Sequence, residues 1–211
     1  MKLPRLLLGS VLIAAAGTAT AADSGFYATA DAGLASFPRP KPEAGVIAPT
    51  FKVQDQENRD FAWSFALGYH FNANVALEAG FTNLGRNVTR LVAPAQPAPN
   101  VYEGRISFGA KGKTLALLTH APMGNWDPFL KLGLMYTTAD LTLRGKIEDS
   151  GLSLDERREE VRGFLGVGVR YALSEEWVVS LGVDYYRQVH DDNWIGPVSV
   201  VSPRIGFAHR F

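Results

Sequence analysis

Four histidines and a scatter of serines are where acid–base or nucleophilic chemistry would have to be sought in this 211-residue chain, because it contains no cysteine and imidazole titrates near neutral pH. Acyl hydrolysis needs a serine hydroxyl bonded to a histidine base that a carboxylate orients. His190, followed by Asp191 and Asp192, is the nearest approach to such a set. Its closest strand serine, Ser180, lies ten residues upstream in an inward phase near the opposite rim, and no local His-x-Ser motif is present. The three residues therefore read as a solvated loop cluster. They also make a poor metal site, since adjacent ligands in a row point apart. His70 is expected inward near a turn, His120 within a turn, and His209 on an apolar face at the chain's edge. No catalytic, cofactor-binding or metal-ligating set is assigned, and no cofactor is expected. The absence of cysteine also excludes a disulfide framework, thiolate zinc and cluster ligation.

What remains is a set of charges that shares one phase of an alternating pattern. Trp63, Phe65, Leu67, Tyr69 and Phe71 are large and apolar, while the interleaved Ser64, Ala66, Gly68 and His70 are small or polar. A period of two is the mark of a strand. It recurs from Phe26 to Leu34, Val75 to Phe81, Leu130 to Tyr136, Leu165 to Tyr171, Trp177 to Tyr185 and Ile205 to Phe211. The remaining segment, about Tyr102 to Leu118, breaks phase: Ile106 and Phe108 do not match Leu115 and Leu117. A bulge between Lys111 and Thr114 is predicted there, because one extra residue swaps the faces. The count is eight strands. Short turns at Asn72 to Asn74, His120 to Asp127 and Leu173 to Glu176 alternate with long polar loops at Ala35 to Gln56, Leu84 to Asn100, Arg144 to Glu159 and Val189 to Pro197. The fold class is all-β, an eight-stranded antiparallel up-and-down barrel of the transmembrane type.

The first residues stand outside that pattern. Lys2 and Arg5 precede an apolar run from Leu6 to Ala16, and Ala19-Thr20-Ala21 supplies small residues for cleavage. This predicts a secretory signal peptide over residues 1–21, with residues 22–211 forming the barrel domain. Its removal leaves a formal charge of −2. The full chain balances 21 basic against 21 acidic residues, which excludes a nucleic-acid surface built on bulk positive potential.

The face opposite the large apolar residues decides between a soluble barrel and one in lipid. A soluble barrel packs large apolar side chains inward. Here that face carries glycines and charges, which fit a narrow lumen better than a hydrophobic core. The predicted lumen network is Asp31, Glu78, Arg105, Lys111, Lys131, Arg170, Asp184 and Arg204, with Asp31 near Arg204 and Glu78 reaching Lys131 or Arg170. These ion pairs either plug the barrel or switch to gate a small path, and the plug is the preferred reading. Trp63, Tyr69, Phe71, Tyr136, Tyr171, Trp177 and Tyr185 fall near strand ends, where amphipathic rings favour membrane interfaces. Arg86, Arg90, Arg144, Lys146, Arg157 and Arg158 are expected in the outer loops, near lipopolysaccharide phosphates, and Trp194 and Ile195 at the tip of the last loop.

The stretch from Leu67 to Gly85, LGYHFNANVALEAGFTNLG, together with FLKLGL (129–134), GVGVRY (166–171) and the closing GFAHRF (206–211), resembles the OmpA-like family of small eight-stranded outer-membrane barrels. The resemblance implies residence in a Gram-negative outer membrane. It also implies a C-terminal signal, Phe207 and Phe211, read by the barrel-assembly machinery. The chain stops at Phe211 without a peptidoglycan-binding domain, so cell-wall anchoring is not carried over. The leading reading is a non-enzymatic barrel that supports envelope integrity and contacts an extracellular ligand through four loops, with outer-membrane lipid and lipopolysaccharide as its surroundings. The alternatives are a narrow ion or small-solute pore and, behind it, a lipid A modifying enzyme.

Overall fold

In the computed structural model, which describes residues 24–37, 52–94, 101–147, 150–190 and 198–211, nine strands follow one another. They are β1 (Gly25–Ser36), β2 (Lys52–Glu57), β3 (Arg59–Asn72), β4 (Val75–Pro94), β5 (Val101–His120), β6 (Trp126–Ile147), β7 (Ser150–Ala172), β8 (Trp177–His190) and β9 (Val198–Arg210). Asn58 alone separates β2 from β3, and both pair with β4. They are two segments of one stave. With β1 paired to β9, the ring closes on eight antiparallel staves. The signal peptide expected over residues 1–21 lies outside the described residues, as do Asp191, Asp192, Trp194 and Ile195.

Local chemistry sets the tight turns. Asn72 Oδ1 accepts the Asn74 N–H at 2.8 Å, and Ser174 Oγ accepts the Trp177 N–H at 3.0 Å. Such side chains imitate the backbone in a turn. All three tight turns and both barrel termini lie at one end, the periplasmic end of a barrel of this kind.

Period-two alternation becomes an apolar belt around the outside. Phe65, Leu132, Leu181 and Phe207 are each more than half exposed. In water a continuous surface of this kind would drive association; in hydrocarbon it is the solvent-matched face. From Phe61 to Phe71 the belt spans eleven residues, in the range of about 9–11 that a tilted strand needs to cross a bilayer. Trp63, Tyr136 and Tyr185 ring its outer edge, while Tyr69, Phe71, Tyr171 and Trp177 ring the periplasmic one. Trp126, not singled out by alternation, joins the lower ring with its indole 4.8 Å from Tyr171.

Two expectations are corrected by the strand lengths and register. β4 to β7 run 20 to 23 residues, against 12 to 14 for β1, β3, β8 and β9. Much of what reads as the second and third loops is therefore paired strand. Polar residues end a strand's contact with lipid without ending its hydrogen bonding. The phase break also belongs elsewhere. β5 pairs with β6 without interruption from Glu103 to His120, so there is no bulge between Lys111 and Thr114. The shift lies on β4, between Asn83 and Arg86.

That bulge is built by three neighbours. Asn83 Oδ1 accepts the Gly85 N–H at 2.8 Å, Asp60 Oδ2 accepts the Arg86 N–H at 2.6 Å, and Gly85 has φ +75°. A Cβ at Gly85 would also lie 2.7 Å from the Phe61 carbonyl. Gly85→Ala is expected to destabilise the barrel by about 1–3 kcal/mol, the usual cost of a strained backbone position, read as a lower urea midpoint in vesicles. An unchanged midpoint would mean the bulge relaxes freely.

Candidate functional site: the filled lumen and its two ends

The inward phase of β1, β4, β6 and β7 delivers the first cluster. Lys131 Nζ lies 2.7 Å from Glu78 Oε2, and Arg170 Nη2 lies 3.0 Å from Glu78 Oε1. The Tyr27 hydroxyl donates to the same Oε1 at 2.8 Å. Arg170 is sandwiched by rings as well, 5.4 Å from the Tyr27 centroid and 5.2 Å from that of Phe129. All the charged groups are largely buried. The carboxylate is thus held by two cations and a hydroxyl, which offset the cost of taking it out of water.

A second cluster sits beside it. Arg204 Nη2 is 3.3 Å from Asp184 Oδ2, and the same guanidinium donates to the Tyr186 hydroxyl. Tyr186 in turn donates to Asp184 at 3.2 Å. Arg204 Nη1 donates to Ser64 Oγ at 2.8 Å, and Ser64 Oγ donates to Asp31 Oδ2 at 3.2 Å. Asp31 therefore meets Arg204 through the serine hydroxyl. Room for its carboxylate comes from Gly206, where a Cβ would run into it and would lie 2.6 Å from Ser180 Oγ. Together the two clusters hold three cations and three carboxylates. The space left among them, lined by Asp31, Glu78, Lys131, Asp184 and Arg204, is about 20 Å³. That is room for about one water molecule.

Two members of the predicted network are not in it. Arg105 and Lys111 occupy the outward phase of β5 and are exposed. The reason is Phe108, which was expected to face lipid with Ile106. It is 7% exposed and points inward, its ring 6.1 Å from Phe37 in an edge arrangement. Phe37, Leu84, Met135 and Val200 are buried with it. The outer half of the lumen thus holds an apolar group that a uniformly polar interior did not anticipate, beside buried Asn87 and Thr137 and the Arg162–Glu160 ion pair on the inward phase of β7. The hydrophobic phase of β5 switches from lumen to lipid along its length while its geometry stays continuous.

At the periplasmic end the barrel opens into a cavity of about 430 Å³ lined by His70, Asp127, Arg170, Arg210 and Phe211, among others. Beside it lies a pair that spacing did not reveal. His120 Nδ1 is 2.9 Å from Asp127 Oδ2, and the His70 ring is 5.1 Å away. His120 ends β5 with a fully buried side chain, where a turn position was expected. Its seven-residue separation from Asp127 spans a hairpin, so only strand pairing brings the two together. Among the described residues no hydroxyl is bonded to its free Nε2, and the pair lacks a nucleophile. His209 packs 4.7 Å from Trp177 on the outer surface.

Ser180 and His190 lie on the same strand, Ser180 in its periplasmic half and His190 at its extracellular end. Ten residues of strand separate them by about 33 Å, which precludes a hydrogen bond. The His190 side chain lies outside the described residues. No group of three metal-ligating side chains occurs among the described residues.

The barrel is shared with solved structures. Neisserial surface protein A is similar at a TM-score of 0.51 and 17% identity, with 89% of this chain and 99% of that one covered. OprG from Pseudomonas aeruginosa gives 0.48 and 14%, covering 90% and 97%. Ail, the attachment invasion locus protein of Yersinia pestis, in complex with the heparin analogue sucrose octasulfate, gives 0.45 and 13%, covering 89% and 99%. No curated protein matches the sequence. At these identities the likeness is one of fold. The outer membrane protein beta-barrel domain model matches residues 6–202, nearly the whole chain, and with the closed ring and its apolar belt this makes the chain a member of that outer-membrane family.

Proposed function

We propose that this barrel neither conducts nor catalyses, and that it supports envelope integrity and surface interaction through its extracellular end. The observation that carries this reading is the filled lumen. An ion-pair belt occupies the middle with about 20 Å³ of space among its charges, and a layer that includes buried Phe37, Leu84, Phe108, Asn87 and Thr137 lies above it. A path for ions would require both layers to move, which makes the narrow pore the weaker reading. Lipid A chemistry is disfavoured by the separation of Ser180 from His190 and by the absence of a hydroxyl at the His120–Asp127 pair among the described residues. Phe207 and Phe211 are exposed on the outer surface at the closing strand, accessible to the assembly machinery during insertion.

Planar-bilayer recording on refolded protein, with folding verified by a heat-dependent gel shift, is expected to show no steady current. A continuous conductance that changes in Glu78→Gln would overturn the plug and make the lumen the working site.

A further inference from the structure

A plugged, non-catalytic barrel has no use for two inward histidines at its periplasmic mouth. His70 on β3 and His120 on β5 stand on either side of β4: His70 lies opposite Ala76, and Ala76 opposite Leu118, two residues before His120. Ala76 is buried and carries only a methyl group. The two rings therefore approach across it, with 5.1 Å between centroids and 48° between planes. His70 is backed by the Tyr27 ring at 4.6 Å and His120 by Phe129 at 6.4 Å.

The carboxylate beside His120 sets its tautomer. His120 Nδ1 donates its proton to Asp127 Oδ2 at 2.9 Å, which leaves Nε2 with a lone pair. The two nitrogens of an imidazole point to opposite sides of the ring. With Nδ1 turned to Asp127 on β6, Nε2 is directed back across β4, the side on which His70 lies. The His120 side chain is fully buried, and its Nε2 has no hydrogen-bond partner among the described residues. A buried acceptor without a partner is costly. A carboxylate behind a histidine is also what fixes the ring and raises the basicity of the other nitrogen in metal sites.

Spacing and charge indicate the ion. Two imidazole nitrogens about 2.0–2.1 Å from one tetrahedral zinc ion place their ring centroids about 5 Å apart, the separation that His70 and His120 already have. The cavity of about 430 Å³ lined by His70 and Asp127 gives water access to the remaining positions. Of the charged groups lining it, Arg170 is engaged by Glu78, which leaves Asp127 and Glu175 against Arg210. We propose that His70 and His120 bind one zinc ion, with Asp127 as the positioning residue, and that the ion ties β3 to β5 across β4 at the periplasmic end. Imidazole suits zinc and its neighbours, whereas calcium and magnesium take oxygen ligands. The inference goes beyond the proposed function and holds whether or not the lumen conducts.

The test uses the untagged, refolded barrel carrying H190Q/H209Q, in which His70 and His120 are the only histidines left. Calorimetric titration is expected to show one zinc ion bound per barrel, with no comparable binding of calcium or magnesium. In the same background, D127N is expected to weaken zinc binding about 10–100-fold, the usual cost of losing the carboxylate behind a ligand, and H70F at least as much. H70F keeps a ring against Tyr27, and each variant is checked for the heat-dependent gel shift. Zinc should raise the urea midpoint of the background protein and leave that of H70F unchanged. Copper(II), as a spectroscopic probe, reads the ligands without a change at the site: pulsed electron paramagnetic resonance is expected to show coupling to two imidazoles. Absence of stoichiometric zinc binding, equal binding of calcium, undiminished affinity in H70F, or copper coupled to fewer than two imidazoles would overturn the proposal.

Discussion

Replacing Glu78 with alanine is expected to lower the stability of the barrel by about 3–5 kcal/mol, the usual consequence of removing one partner from a buried ion pair. The size follows from what stays behind. Lys131 and Arg170 would remain in a closed space with no carboxylate between them, and the Tyr27 hydroxyl would lose its acceptor. Urea unfolding in vesicles would show this as a lower midpoint. A companion variant separates the charge effect from the loss of packing. Changing Glu78 to Leu, and Lys131 and Arg170 to Met, removes every charge in the first cluster together, and replacement of a whole buried network by apolar side chains is often neutral or stabilising. The triple variant should therefore unfold closer to the wild type than Glu78→Ala does. If the single substitution shifts stability by less than about 1 kcal/mol, within the usual range for an exposed pair, then water reaches the cluster and the plug is looser than its distances suggest.

The second large effect is expected on the opposite face. Leu132 stands in the middle of the apolar belt, 54% exposed, between Leu117 of β5 and Leu165 of β7 in register. An arginine there must sit near the bilayer midplane, which costs about 2–4 kcal/mol in barrels of this kind. Leu132→Arg should lower the unfolding midpoint in vesicles accordingly. The same change at Thr138, also on the outward phase of β6 but beyond Tyr136, should cost about 0–1 kcal/mol, because the penalty fades towards the interface. The contrast between positions six residues apart on one strand measures the membrane directly. Equal effects at both sites would mean that the apolar belt does not mark the hydrocarbon.

The inward and outward faces were legible wherever one strand kept one phase. Lys131, Arg170, Asp184 and Arg204 all point into the lumen as alternation requires, and Glu78 reaches both of its predicted partners. β5 was misread because alternation reports the difference between two faces, and here both faces are apolar at different heights. Phe108 packs against Phe37 inside the barrel, while Leu115 and Leu117 meet lipid outside it. A local rule reads that exchange as a bulge. The real bulge left a weaker signature, Asn83-Leu84-Gly85, whose meaning depends on Asp60 of the neighbouring strand. The long outer strands were read as loops for a related reason: Arg, Asp, Thr and Gly suit a loop, and they also suit a strand that has risen out of the bilayer. The His120–Asp127 pair had no sequence signal beyond the turn that joins the two residues.

The chain's own order of residues determined the all-β class, the stave number, the antiparallel meander and the lipid-facing side of most strands. Each of these depends on a period of two and on turn residues, and both are local properties. Only the closed tertiary structure decided which charges share a cavity, that Asp31 reaches Arg204 through Ser64, that Phe108 packs inside the barrel, and that Arg105 and Lys111 join the outer wall. Those facts depend on register between strands and on closure of β1 against β9. They arise when residues far apart in sequence compete for the same narrow interior, where volume and charge must balance across all eight staves at once.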